Sequence, residues 1–300
     1  MATDTATASK YEIGVPPWTY EELREAVDEF DKIHAQRPIR ENQGGTRASH
    51  MFAIWFIARK LQPEFIVESG IWKGQSTWLL EQACPKAHIV SLDIHLVFRE
   101  YISDRVEYHE RDFSQMDWSG IPENNLAFFD DHQNALARLQ QCVWNGFRNV
   151  IFDDNYPIGL GDCYSMRKVL ADAGHQCPQE MNPRKRGLSE RVLRRLLYEA
   201  TKNVKEDIQV TPQVQGKNSI EPNERDAKLV RKWADVYAEY PPIFEFEKNR
   251  FNRDWNSPGF EVHDAILGPK DQAKYPDLYA EGTKYGWICY LHLRDSILGK

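Results

Sequence analysis

Apolar residues recur along this chain in two periods, and the switching between them sets the expected architecture. Short apolar runs stand at Phe65-Ile66-Val67, His88-Ile89-Val90-Ser91-Leu92, Leu126-Ala127-Phe128-Phe129 and Asn149-Val150-Ile151-Phe152. Runs of this length suit strands buried on both faces of a parallel sheet. Arg105-Val106-Glu107-Tyr108-His109 reads as a shorter strand among them. Helical spacing fills the intervals. Thr19-Tyr20-Glu21-Glu22 has the form of a capping box and opens a helix to about Ile33. Met51 to Leu61 is apolar almost all round, as in a helix packed against a sheet. Gln75 opens another helix, and Ala135 to Trp144 carries Leu136, Leu139 and Val143 on one face. Strand–helix–strand alternation of this kind predicts a doubly wound, mostly parallel α/β sheet.

Beyond the fifth strand the pattern loosens. Asp162 to Ala173 suits a helix, and a further amphipathic helix is expected at about Ser189 to Lys202. Arg184, Lys185, Arg186, Arg191, Arg194 and Arg195 make that stretch basic, which reads as a solvated face or as a site for an anionic substrate. Another helix is expected from Glu224 to Tyr240, stopped by Pro241-Pro242. Ile243-Phe244-Glu245-Phe246-Glu247 alternates like a strand, and Gly286 to Leu293 reads as the last strand. Seven strands are expected in all, with a helical insertion at about 178–240. Residues 1–48 are expected to form a tail and helical cap on a domain spanning 49–300.

The most informative stretch is Glu68-Ser69-Gly70-Ile71-Trp72-Lys73-Gly74-Gln75-Ser76-Thr77, which turns from the first strand into a helix. Gly70 and Gly74 bracket a tight turn where a ligand could approach the backbone, and the helix start offers unpaired N–H groups. Asp93 closes the second strand, about 20 positions on, where an acid usually meets a ribose hydroxyl pair. This E-x-G-x-x-x-G-x-S form resembles the first motif of class I S-adenosylmethionine-dependent methyltransferases. The resemblance is to their cephalosporin hydroxylase-like and catechol-type O-methyltransferase branches. It covers roughly Asn42 to Asp162, less than half of the chain. It implies a Rossmann-like methyltransferase fold and a cofactor held by Glu68, Gly70, Gly74, Ser76 and Asp93. Asp112 would face the adenine with Phe113 packed on it, and the loop Asn42 to Gly45 would cover the methionine end. The dinucleotide pattern G-x-G-x-x-G is absent.

Acids crowd the strand ends. Glu68, Asp93, Asp112, Asp131 and Asp154 all fall at carboxyl ends, the edge where ligands sit in such sheets. The fourth strand closes on Asp130-Asp131-His132 and the fifth on Asp153-Asp154-Asn155. Neighbouring carboxylates repel, and a hard divalent cation such as Mg²⁺ offsets that repulsion. By resemblance, Asp131-His132 and Asp154-Asn155 match the metal pairs of the catechol enzymes, whereas Asp153-Asp154 match the paired acids of the sugar-type enzymes. Asp154 is common to both, Asp131 follows, and Asp153 and Asn155 compete for the remaining place. The lysine base of the catechol enzymes is replaced by Asn134. His132 is then the candidate base, or else a structural residue beside the cofactor.

The expected activity is metal-assisted O-methylation of a small-molecule hydroxyl on a sugar, a glycosylated natural product or a catechol. A different metal-dependent reaction, or a binding module without catalysis, is the alternative. Composition narrows the setting. A formal net charge of −7 argues against a nucleic-acid partner. Five scattered cysteines, none in C-x-x-C spacing, fit a reducing, cytoplasmic setting. Met1 to Lys10 lacks the apolar core of a signal peptide, and no run reaches the ~18 apolar residues of a membrane span. A homo-oligomer is left open.

Overall fold

The computed structural model describes residues 18–171, 224–255, 257 and 262–298. The basic stretch Arg184 to Arg195 and the helix expected at Ser189 to Lys202 lie outside them. Helix α1 (Tyr20–His34) opens with the expected capping box: the Glu22 amide donates to Thr19 Oγ1, and the Thr19 amide donates to Glu22 Oε2. Leu23, Val27 and Phe30 form its buried face. Helix α2 (Ala48–Leu61) is buried at every position from Ala48 to Ala58, as its apolar composition requires.

Five parallel strands follow in the expected order: β1 (Phe65–Ser69), β2 (His88–Leu92), β3 (Val106–His109), β4 (Asn125–Phe129) and β5 (Asn149–Phe152). Helix α3 (Gln75–Ala83) joins β1 to β2, α4 (Ala135–Asn145) joins β4 to β5, and the short α5 (Met166–Leu170) follows β5. The last elements are α6 (Glu224–Trp233), β6 (Ala234–Glu239), α7 (Pro276–Gly282) and β7 (Cys289–Leu293). The strand order is β3-β2-β1-β4-β5-β7-β6, with β7 antiparallel to both of its neighbours. This is the doubly wound, seven-stranded sheet expected from the sequence.

Alternate residues of one strand feed two cores. Ile66, Leu126 and Phe128 face α1, α2 and α3. Val67, Ala127 and Phe129 face α4, α5 and α6. Burial on both sides explains why these strands read as unbroken apolar runs. α1 and α2 pack in the same core as the first face of the sheet.

Two late elements differ from expectation. The helix expected to reach Tyr240 stops at Trp233, and the chain turns directly into β6. Ile243 to Glu247 is not a strand, although it alternates. Ile243 and Phe244 are both fully buried in the helix-covered core, so consecutive side chains point inward and period two is lost. Residues 234–239 already occupy the edge of β7 that such a strand would need. The helix expected from Asp162 is also shorter, starting only at Met166 behind the Ser165 cap.

Leu291 of β7 is fully buried and stands opposite Val150 and Tyr237. Leu291→Ala should cost about 2–5 kcal/mol, as large-to-small core changes do. Urea unfolding followed by tryptophan fluorescence and by far-ultraviolet dichroism should give one coincident, shifted transition. Two separated transitions would show that the late strands are not part of the same cooperative unit.

Candidate functional site

The turn after β1 is built against the exit of β4. Gly70 has φ +95°, and a side chain there would collide with the Asp130 carbonyl. Gly74 has φ +93°, and a Cβ would stand 2.8 Å from the Tyr101 carbonyl oxygen. Both glycines are therefore required by backbone packed on backbone. Beneath the turn, Glu68 is fully buried. Thr77 and Ser91 each donate a hydroxyl to its Oε2 at 2.6 Å. Burial pushes the Glu68 carboxyl up, while the hydroxyls of Ser76, Ser91 and Thr77 oppose the shift. Glu68 and Ser76 thus brace the turn from below.

Asp93 grips the same turn from above. Its Oδ2 accepts from the Ile71 amide at 2.9 Å and from the Trp72 amide at 3.2 Å, and its Oδ1 accepts from the His95 amide at 2.9 Å. The Trp72 indole donates to the Gln43 carbonyl, which ties the turn to the loop holding Gly45.

Asp112 and Asp131 are joined through Arg138. The guanidinium donates to Asp112 Oδ1 at 3.1 Å and Oδ2 at 2.5 Å, and its Nε donates to Asp131 Oδ2 at 2.9 Å. Ser69 adds a hydroxyl to the same Asp131 oxygen at 2.7 Å. Arg138 is only 4% exposed, so this is a nearly buried ion triad. Burial would raise the Asp112 carboxyl, but Arg138 and the Ser114 hydrogen bonds hold it below the usual range. Phe113, expected against an adenine, is instead fully buried and stacks on Trp118 with centroids 5.0 Å apart.

The acid cluster forms around a different aspartate. Ligand atoms of Asp130, His132 and Asp154 lie within 4.8 Å of one another. His132 takes a left-handed conformation, φ +54°, with Nδ1 2.8 Å from Asp154 Oδ2 and 3.1 Å from Asp162 Oδ1. Those two carboxylates push the imidazole up to about 12, so it holds its proton. Burial, and then the charges of Asp153 and Asp154, drive the Asp130 carboxyl well above its ordinary value. Burial opposes ionisation of Asp154 as well, yet His132 keeps that carboxyl low.

Asp153 is held by a residue the sequence did not single out. His50 Nδ1 lies 2.8 Å from Asp153 Oδ1, and His50 Nε2 accepts the Gly286 amide at 2.9 Å. An Nε2 that accepts leaves the proton on Nδ1, so a neutral His50 donates to Asp153. Asn155 is turned away from the cluster. Its amide donates to Tyr237 at 2.8 Å and to Glu239 at 3.2 Å, and its oxygen accepts the Arg167 amide at 2.8 Å.

Asp130, His132, Asp153 and Asp154 line one cavity of about 600 Å³, and His50 and Gly45 stand on its wall. Glu68, Gly70, Gly74, Ser76, Asp93 and Asp112 do not line it, nor do Asp131 and Asn155. Asp130 escaped the sequence reading because neighbouring side chains at a strand end alternate in direction, so a one-residue shift exchanges Asp130 with Asp131. His50 stands just before the apolar run that begins at Met51 and carried no signal of its own.

Arg138→Ala would leave Asp112 and Asp131 without their common partner and should cost about 3–5 kcal/mol. The lowered Asp112 carboxyl contributes stability above its unfolded value of about 3.9 and loses it as pH falls through the folded value. The gap between wild type and variant should therefore be full at neutral pH and shrink in acid. Urea titrations across that range measure it, and a gap unchanged at low pH would count against the pairing.

No protein-family profile matches the chain, and no curated protein matches it in sequence. Several solved structures align with it in part. CmcI with Mg-SAM shares 19% identity over 34% of this chain and 50% of that one, with a TM-score of 0.29. The SAH-bound methyltransferase PaMTH1 of Podospora anserina shares 19% over 49% and 75%, with a TM-score of 0.32. The O-methyltransferase TomG of Streptomyces achromogenes, in complex with SAM, shares 19% over 45% and 64%, with a TM-score of 0.32. This chain spans half the length of CmcI, and likeness of this extent transfers no residue roles from those proteins.

Proposed function

We propose that this protein is an S-adenosylmethionine-dependent O-methyltransferase whose acid floor takes a divalent cation, with Mg²⁺ the expected ion. One observation carries the metal part: Asp130, Asp153 and Asp154, from two adjacent strand ends, converge on one cavity. The donor set fits a hard cation. It is dominated by carboxylate oxygens, and Asp154 Oδ2 is buried without a geometrically sound hydrogen bond although His132 stands 2.8 Å away. Asp130 and Asp154 are the proposed ligands, and Asp153, held by His50, lines the same cavity. Asp131 is already occupied by Arg138 and Ser69, which leaves Asp130 as the ligand from that strand end. Both ends of the Asn155 amide are engaged elsewhere.

When bound, such a cation lowers the pKa of an acceptor hydroxyl and makes it a better nucleophile near neutral pH. The chain's own residues supply the rest. The glycine turn and Asp93 stand at the neighbouring strand ends, where a nucleoside cofactor is expected, and Asp93 keeps acceptor capacity beyond its backbone bonds. His132 stands 2.8 Å from Asp154 and 3.1 Å from Asp162, beside the proposed ligands, where it would orient the acceptor hydroxyl or take its proton. The acceptor is proposed to be a small molecule with a vicinal diol, bound in the 600 Å³ cavity. Among the described residues no helix is long and apolar enough to cross a membrane.

Calorimetry with S-adenosylmethionine should show binding to the wild type, weakened by about 1–3 kcal/mol in Asp93→Ala through a lost charge-assisted hydrogen bond. The absence of any heat or thermal shift at millimolar cofactor would end the methyltransferase reading. Asp154→Ala should abolish methyl transfer to a vicinal diol and keep cofactor binding. EDTA should stop the wild-type reaction, and added Mg²⁺ should restore it. Turnover that survives both chelation and the substitution would rule out the metal.

A further inference from the structure

The cavity that holds the acid floor has a basic wall. Arg40, Arg47, Arg250 and Lys284 line the same cavity as Asp130, Asp153 and Asp154. These cations do not serve to neutralise the floor, since none is ion-paired with Asp130, Asp153 or Asp154. Among the described residues no carboxylate lies within ion-pair distance of Arg250 or Lys284. Arg47 reaches only Glu281, at 3.9 Å, and that carboxylate is already shared with Arg37 at 3.0 Å and His34 at 3.3 Å. Arg40 meets Asp277 at 3.8 Å, and both are exposed.

Arg250 is also held in place. Its guanidinium lies 5.5 Å from the ring centroid of Tyr156, itself a buried member of the cavity wall, and 5.6 Å from that of Phe251. A side chain at Gly286 would collide with it, so the glycine leaves room for this placement. A guanidinium set over rings on a cavity wall, with no carboxylate partner among the described residues, is arranged to receive a planar or tetrahedral anion.

We infer that the acceptor carries an anionic group, a carboxylate or a phosphate, bound by Arg250 and Lys284 with Arg47 beside them, while its hydroxyls face the acid floor. This rests on the proposed reading of the floor as the reacting end, and it names the substrate class for that site. A cation at the floor makes the two ends consistent. It takes up the charge of the carboxylates, and the wall then presents net positive charge to the far end of the acceptor.

Paired probes test this in the full-length protein with Mg²⁺ and S-adenosylhomocysteine present. Calorimetric titrations compare protocatechuate with catechol, and glucose 6-phosphate with glucose. In at least one pair the anionic member should bind about tenfold or more tightly at low ionic strength, as expected for a charge-assisted contact. The preference should shrink as salt is added. The pair that shows it identifies carboxylate or phosphate as the group. In Arg250→Ala/Lys284→Ala the ratio within that pair should fall toward one. Both side chains are exposed, so the fold should tolerate the change, and Arg47→Ala gives an independent reduction. Equal binding of anionic and neutral probes, no binding of either anion, or a ratio unchanged in the double variant would overturn the inference. If S-adenosylhomocysteine gives no heat while the anion preference stands, the methyl-transfer reading fails and the anion site remains.

Discussion

Like charges gathered at the open edge of a parallel sheet are the constraint on which the rest of this structure turns. β1, β2, β4 and β5 all run the same way, so the acids that close them arrive side by side. Each is dealt with differently. Glu68 is buried under hydroxyls, Asp93 accepts backbone amides, and Asp112 and Asp131 share Arg138. Asp130, Asp153 and Asp154 remain; among the described residues His50 pairs with Asp153 and His132 with Asp154. Burial, and then the unrelieved repulsion of Asp153 and Asp154, displaces the Asp130 carboxyl upward. The unrelieved set is the part of the edge available to chemistry, and the relieved acids form its frame.

The frame was largely legible in the sequence. Strands buried on both faces announce themselves as apolar runs, and the glycine turn announces itself by spacing. Residue identity at the strand ends was legible too, but direction was not. Asp130 and Asp131 are adjacent, and only the folded register decides which faces the cavity. Asp93 follows β2 and Asp112 follows β3, as the sequence order indicates, but their partners, the Ile71 and Trp72 amides and Arg138, come from loops and helices whose approach no pattern encodes. The late strands show a different limit. Residues 234–239 continue the amphipathic spacing of α6, so a helix and an edge strand looked alike there, and pairing with β7 decided the matter. The wall cations Arg250 and Lys284 lie far along the chain from the acids they face, in a segment without periodic pattern, and no local signal marks them.

The bond chain from Asp153 through His50 to the Gly286 amide has a temporal meaning. It draws the floor together from three distant stretches: the second helix, the end of the fifth strand and the approach to the last strand. During synthesis the amide that fixes the His50 tautomer is made long after His50 and Asp153 themselves. Until it arrives, His50 is free to exchange tautomers, and Asp153 lacks a partner of fixed orientation. The glycine turn and its acids can form from the first half of the chain, but a floor with its carboxylates set is a property of the finished molecule. Contacts of such long sequence separation form late because loop closure must precede them. The floor is thus set only once the approach to the last strand has docked.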